Sequence, residues 1–149
     1  MSFIQVTKEE FNTHAQQVSE RSFMQTEEMA KLLEKRGFSI SYVAWKEGDQ
    51  LEVSAIVYSM PMTGGLRMEV NCGPIHSNAA HLSDFYQGLK DYAKENSALE
   101  LLIKFACNLF SKAPFLKLRV RLPVSPFLAT RFEDQSACVI VASEETAIE

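Results

Sequence analysis

The chain has 149 residues, 46% of them hydrophobic and 23% charged, with a formal net charge of −4. That is one globular domain's worth of ordinary composition. It excludes a disordered, collagen-like or low-complexity protein, and the acidic balance argues against a dedicated nucleic-acid-binding domain. No apolar run approaches the roughly 18–20 residues that span a bilayer. The N-terminus lacks the basic-then-apolar pattern of a signal peptide. Cys72, Cys107 and Cys138 are widely spaced and form no CxxC, so they read as small buried thiols in a reducing cytoplasm.

In chain order, Phe3 to Val6 reads as a short strand. Thr7-Lys8-Glu9-Glu10 is a capping box that opens a helix carrying Phe11, Ala15 and Val18 at helical spacing. A second helix opens at Thr26, with Glu27 and Glu28 at its positive end, an apolar stripe of Met29, Leu32 and Leu33, and Gly37 as its stop. The period then changes to two. Ile40 to Trp45 and Leu51 to Met60 read as a hairpin around Lys46–Gln50. Pro61 to Gly65 reads as a connection, and Leu66 to Val70 as a third strand ended by Gly73-Pro74. Leu82, Phe85, Tyr86, Leu89 and Ala93 define an amphipathic helix between about Ala79 and Glu95, and Leu99 to Ile103 a buried strand. The order β-α-α-β-β-β-α-β places the last helix in a right-handed crossover.

Composition changes near residue 105. Residues 1–104 hold 10 Lys and Arg against 14 Asp and Glu, together with all six glycines. Beyond them come five basic residues (Lys112, Lys117, Arg119, Arg121, Arg131) and then five acidic ones, with three of the five prolines. Lys117 to Leu122 alternates like a half-exposed strand, and Cys138 to Ala142 reads as another.

Few residues suggest chemistry on their own. His14, His76 and His81 have no metal-ligand spacing and read as surface or capping residues. No GxSxG, HExxH, P-loop or GxGxxG occurs. Cys72 sits at a strand end without a basic neighbour other than His76, and reads as a small buried residue. The Gly73-Pro74 step lies where acetyltransferases of the GNAT fold cradle the pyrophosphate of acetyl-CoA on free backbone amides. Asn71 to His76 offers one glycine, and Pro74 removes a donor. The topology is therefore GNAT-like without a CoA loop.

The run Ser22-Phe23-Met24-Gln25-Thr26, the hairpin, Asn71-Cys72-Gly73-Pro74-Ile75, Tyr92-Ala93-Lys94 and Leu101-Leu102-Ile103-Lys104 together resemble the FemABX aminoacyltransferases. The resemblance covers residues 1–104. It implies an α/β, GNAT-like mixed sheet flanked by helices, present as part of the first of two such domains. It also implies transfer of an amino acid from aminoacyl-tRNA to the lysine of a lipid-linked peptidoglycan stem peptide. No cofactor and no DNA partner are implied; the lipid substrate implies peripheral contact with a membrane surface, in the cytoplasm. In that family a lysine on the helix after the Phe-x-Gln motif helps line the precursor groove; here the candidates are Lys31 and Lys35, one helical turn apart. The catalytic residues stay open. Residues 105–149 match nothing in the family, which suggests a frameshifted or rearranged tail on an N-terminal fragment, or a divergent tail that completes the sheet. A non-catalytic binding remnant and a small-molecule N-acetyltransferase are the alternative readings. A basic strand at Lys117–Arg121 reads as an exposed face, with tRNA phosphate contact as the other reading.

Overall fold

A computed structural model describes residues 2–19 and 21–104, together with the strand backbone of 116–121 and 138–142. Strand β1 (Ser2–Gln5) leads into helix α1 (Lys8–Gln17), a short 3-10 turn (Phe23–Gln25) and helix α2 (Glu27–Lys35). Strands β2 (Ser39–Glu47), β3 (Gln50–Met62), β4 (Gly65–Asn71) and the two-residue β5 (Ile75–His76) follow. After a second 3-10 turn (Ala79–His81) come helix α3 (Leu82–Glu95) and strands β6 (Ala98–Lys104), β7 (Leu116–Arg121) and β8 (Cys138–Ala142). The strands form one mixed sheet in the order β1-β2-β3-β4-β6-β7-β8, with β5 paired to β3. Among the described strands only β4 and β6 run parallel, and α3 is the crossover between them. This is the GNAT-like mixed sheet flanked by helices.

Helices cover both faces of the sheet, as the period of two along the strands requires. On one face Phe85, Leu89 and Ala93 of α3 pack on Val43, Val53, Ala55, Val57, Met68, Val70, Leu101 and Ile103. On the other, Phe11 and Ala15 of α1 and Ala30 of α2 meet Ala44, Ile56, Tyr58 and Ile75. Neighbours such as Val43 and Ala44 thus serve opposite cores.

Local signals form as expected at the helix ends. The Thr7 hydroxyl accepts from the Glu10 amide at 3.2 Å while the Glu10 carboxylate accepts from the Thr7 amide at 2.8 Å. Helix α2 ends with Phe38 N–H on the Leu33 carbonyl and Gly37 N–H on Glu34, and Gly37 takes φ +90°. That is a Schellman stop, with Leu33 and Phe38 both packed on the core beneath α1 and α2.

Two expectations need correction. The stripe of α2 is centred on Ala30 and Leu33, one ridge of the helix, and Leu32 is 42% exposed. Residues one apart lie about 100° apart on a helix, so with Ala30 and Leu33 turned to the sheet Leu32 falls on the flank of α2. Likewise, the connection at Pro61–Gly65 is only two residues long. The β3–β4 ladder continues through Pro61 opposite Leu66 and Met62 opposite Gly65. Flanking a two-residue loop, Met62 and Gly65 form the hydrogen-bonded pair, so Pro61 turns its missing N–H away from β4. On that side β2 has already ended, opposite Ser59. Proline fits a strand at such an edge position.

Strands β7 and β8 extend the sheet antiparallel from β6, with Arg121 in register with Glu100 and Cys138 with Val120. The composition change at 105 and the cluster of prolines lie outside the described residues.

Candidate functional site

The two motifs quoted above, Ser22–Thr26 and Asn71–Ile75, come together in space. Strand β3 pairs with β4 from Met62 back to Tyr58, and with β5 at Ser54 and Val53. Between these ladders the sheet opens, and Ile56 N–H and Asn71 C=O have no strand partner there. Gln25 fills the gap. Its Oε1 accepts from Ile56 N–H at 2.8 Å and its Nε2 donates to the Asn71 carbonyl at 2.7 Å. A carboxamide carries the same donor and acceptor as a peptide group, so one side chain replaces a missing rung. Gln25 is fully buried.

This explains the glycine of the second motif. A Cβ on Gly73 would lie 2.8 Å from Gln25 Cδ, so only glycine lets the loop close over the carboxamide. Tyr58 donates its hydroxyl to the Met24 carbonyl, and burial holds that phenol in its protonated form by pushing its pKa up. Thr26 Oγ1 donates to the Phe23 carbonyl at 2.7 Å. The turn is therefore fixed from both sides while the Phe23 ring stays exposed.

Beyond Pro74, the loop backbone is committed. Ile75 and His76 pair with β3, and Ser77 N–H donates to the Glu52 carbonyl. Ahead of α3, Asn78 Oδ1 accepts from the Ala80 amide. Cys72, half-buried at φ +50°, sits at the tip of β4, near enough to Tyr58 to act on its titration.

Lys31 and Lys35 both lie on the exposed side of α2. Lys31 Nζ is 2.7 Å from Glu27 Oε1. Glu27 also meets Lys8 at 3.2 Å and accepts from Asn12 Nδ2, which ties α1 to α2. Hydrogen bonds from the Lys31 and Lys8 ammonium groups lower the Glu27 carboxyl to about 2. Lys35 makes no ion pair among the described residues.

On the same side of the sheet as α1 and α2, β4 and β6 carry a charged set. Arg67 Nη2 lies 2.9 Å from Glu69, Arg67 Nε 3.4 Å from Glu100, and Lys104 Nζ 3.0 Å from Glu69. The buried carboxylates Glu69 and Glu100 are thus each paired with a cation, as burial of charge demands.

His14 departs from the surface role expected of it. It is 3% exposed, and its Nδ1 lies 2.7 Å from Ser54 Oγ. Its place on α1, three residues after Phe11 and on the same face, brings it to the sheet. Burial lowers its pKa from the usual value, partly offset by the Glu52 carboxylate. The folded protein therefore resists protonation that the unfolded chain accepts, so stability is full above the unfolded value near 6.5 and falls as pH drops through and below it. Urea midpoints measured from pH 7.5 to 5 are expected to decline in the parent and to decline less in His14→Gln. Parallel slopes would remove His14 from that role.

Among the described residues, no cluster of His, Cys, Asp and Glu is placed to hold a metal ion, and no helix is long and apolar enough to cross a membrane. No curated protein sequence matches the chain. A solved structure described as the crystal structure of FemX is similar in fold, with a TM-score of 0.59 and 17% identity. The match covers 70% of this chain and 27% of that one. The model of the FemAB family matches residues 6–109, a span that contains both motifs joined by Gln25. The chain belongs to the FemAB family.

Proposed function

We propose that this chain serves aminoacyl transfer from aminoacyl-tRNA to the lysine amine of a lipid-linked peptidoglycan stem peptide, at the cytoplasmic face of the membrane. In that reaction the amine attacks the ester carbonyl, an amide bond forms, and the tRNA hydroxyl leaves carrying the proton. The observation that carries this reading is the loop after β4. In a CoA-dependent relative of the fold its amides would receive a pyrophosphate. Here Pro74 has no N–H, the next residues pair with β3, and Gly73 is closed over Gln25. A donor held elsewhere, such as a tRNA, suits this loop better than CoA.

The chain spans 27% of the FemX chain. We propose that residues 1–104 act as the acceptor-holding part, with Lys31 and Lys35 facing an anionic group of the precursor. Lys35 is the freer cation, and Lys31 exchanges part of its Glu27 contact for the ligand. Purified chain is expected to bind precursor weakly, to lose that binding in Lys31→Ala/Lys35→Ala, and to add no amino acid above control when mixed with charged tRNA. Mass spectrometry of the stem peptide reads the last outcome. Precursor binding that ignores the double substitution would sink the assignment of these lysines. Micromolar CoA binding by calorimetry would turn the reading to an acetyltransferase.

A further inference from the structure

Strand β1 ends the described sheet on one side, and no described strand lies beside its outer edge. Val6 N–H donates to the Tyr42 carbonyl at 2.9 Å. With Phe3 opposite Trp45 and Gln5 opposite Val43, that bond fixes which backbone groups β2 uses. Ser2, Ile4 and Val6 bond inward. Phe3 and Gln5 fall in the alternate pairs, so their N–H and C=O groups point outward. Two rungs stand open. Sheet edges are commonly blunted by lysine, proline or a bulge, and Ser2–Gln5 pairs with β2 without any of them.

A groove of about 560 Å³ runs along this edge beneath α3. Phe3 and Gln5 form one wall; Gly88, Tyr92 and the carboxylates of Asp91 and Glu95 form the other. Its charged lining is thus acidic only. Asp91 accepts from Gln87 Nε2 at 3.1 Å and lies 3.7 Å from Lys94, a long contact between exposed groups. Glu95 has no ion pair among the described residues. Phe3 packs on the α3 core and Ile4 on the opposite one, so Gln5 shares the α3 face with Phe3. A strand added beside β1 would place the two residues opposite Phe3 and Gln5 on that face, over the groove. They would be two residues apart, each facing an acidic wall.

We propose that the β1 edge takes an extended, antiparallel segment of a partner protein that carries cations at two alternate positions, best supplied by arginine. Main-chain bonds to Phe3 and Gln5 hold the segment, and its guanidinium groups meet Asp91 and Glu95. A second copy of the chain fits less well, since β1 paired on β1 about Ile4 would bring two acidic α3 walls together. Lys31 and Lys35 belong to α2, across the sheet from this groove, so the proposal is independent of aminoacyl transfer.

The probe is acetyl-Thr-Arg-Val-Arg-Thr-amide, titrated into the full chain and followed by amide NMR. Shifts are expected to centre on Phe3, Gln5 and Tyr92. Replacing both arginines by glutamine should weaken binding about five- to tenfold, as two exposed ion pairs allow, and added salt should shrink that difference. Glu95→Gln should weaken the arginine peptide and leave the glutamine peptide unchanged. N-methylation tests the edge itself. On both arginine amides, which would face β1, it should abolish binding; on the valine amide, which would face solvent, it should not. Equal affinity for the arginine and glutamine peptides would overturn the acidic wall's role. Binding indifferent to arginine N-methylation, shifts centred elsewhere, or no shift at millimolar peptide would overturn the site. Concentration-dependent shifts of Phe3 and Gln5 without peptide would give the edge to a second copy and overturn the proposal.

Discussion

Replacing Gln25 with alanine is expected to destabilise the fold by about 2–6 kcal/mol, because it strands two buried backbone groups at roughly 1–3 kcal/mol each. The groups are Ile56 N–H and Asn71 C=O, each now served by one end of the carboxamide. Alanine also leaves a cavity under Gly73, where the side chain now packs. Gln25→Glu separates the two causes. It keeps the shape and the acceptor for Ile56, but an ionised carboxylate would oppose the Asn71 carbonyl with a second acceptor. Its cost should therefore shrink as pH falls toward the range where that buried carboxyl protonates, whereas the alanine variant should show no such recovery. Denaturant midpoints for the two variants across pH provide the measurement. An alanine variant as stable as the parent would mean that Gln25 does not bridge the strands.

Leu89→Ala is expected to cost ~2–5 kcal/mol, the usual range for a leucine truncated in a core that cannot collapse around the void. Leu89 is fully buried in the middle of α3, in a core cluster lined by β2, β3, β4 and β6. Those strands are held by their own ladders and cannot close inward. Leu82, at the start of the same helix, is only partly buried, so Leu82→Ala should cost clearly less. Equal costs at the two positions, or no change at Leu89, would reject the helix face described for α3.

How much was legible in the sequence depends on the distance over which each signal acts. The Thr7–Glu10 box and the Gly37 stop are complete within a turn or two of chain, and both form as read. Helix α3 was readable because five apolar residues repeat on one face over four turns. Leu32 misled because two adjacent leucines satisfy a stripe in either of two rotations, and only the sheet decides between them. Pro61 misled because its tolerance depends on where β2 ends, a fact about a different strand. The Phe-x-Gln motif carried a family resemblance but no physical role. The partners of Gln25 lie 31 and 46 residues away, so nothing local distinguishes it from a solvated glutamine. His14 was hidden in the same manner, its partner Ser54 lying 40 residues on. The lysines of α2 were visible as charge, but the grip of Glu27 on Lys31 had to come from the fold.

The carboxamide rung at Gln25 also bears on how the molecule fluctuates. An ordinary ladder bond breaks only when two strands part. This one breaks when a three-residue turn swings outward, taking the Met24 carbonyl from Tyr58 and uncovering Gly73. Local opening of the Phe23–Gln25 turn, loosening of the loop at Gly73-Pro74 and separation of the centre of β3 from β4 are therefore one cooperative excursion. A partner that grips the exposed Phe23 ring would quiet all three at once, and the tip of β4 would be ordered through Gln25.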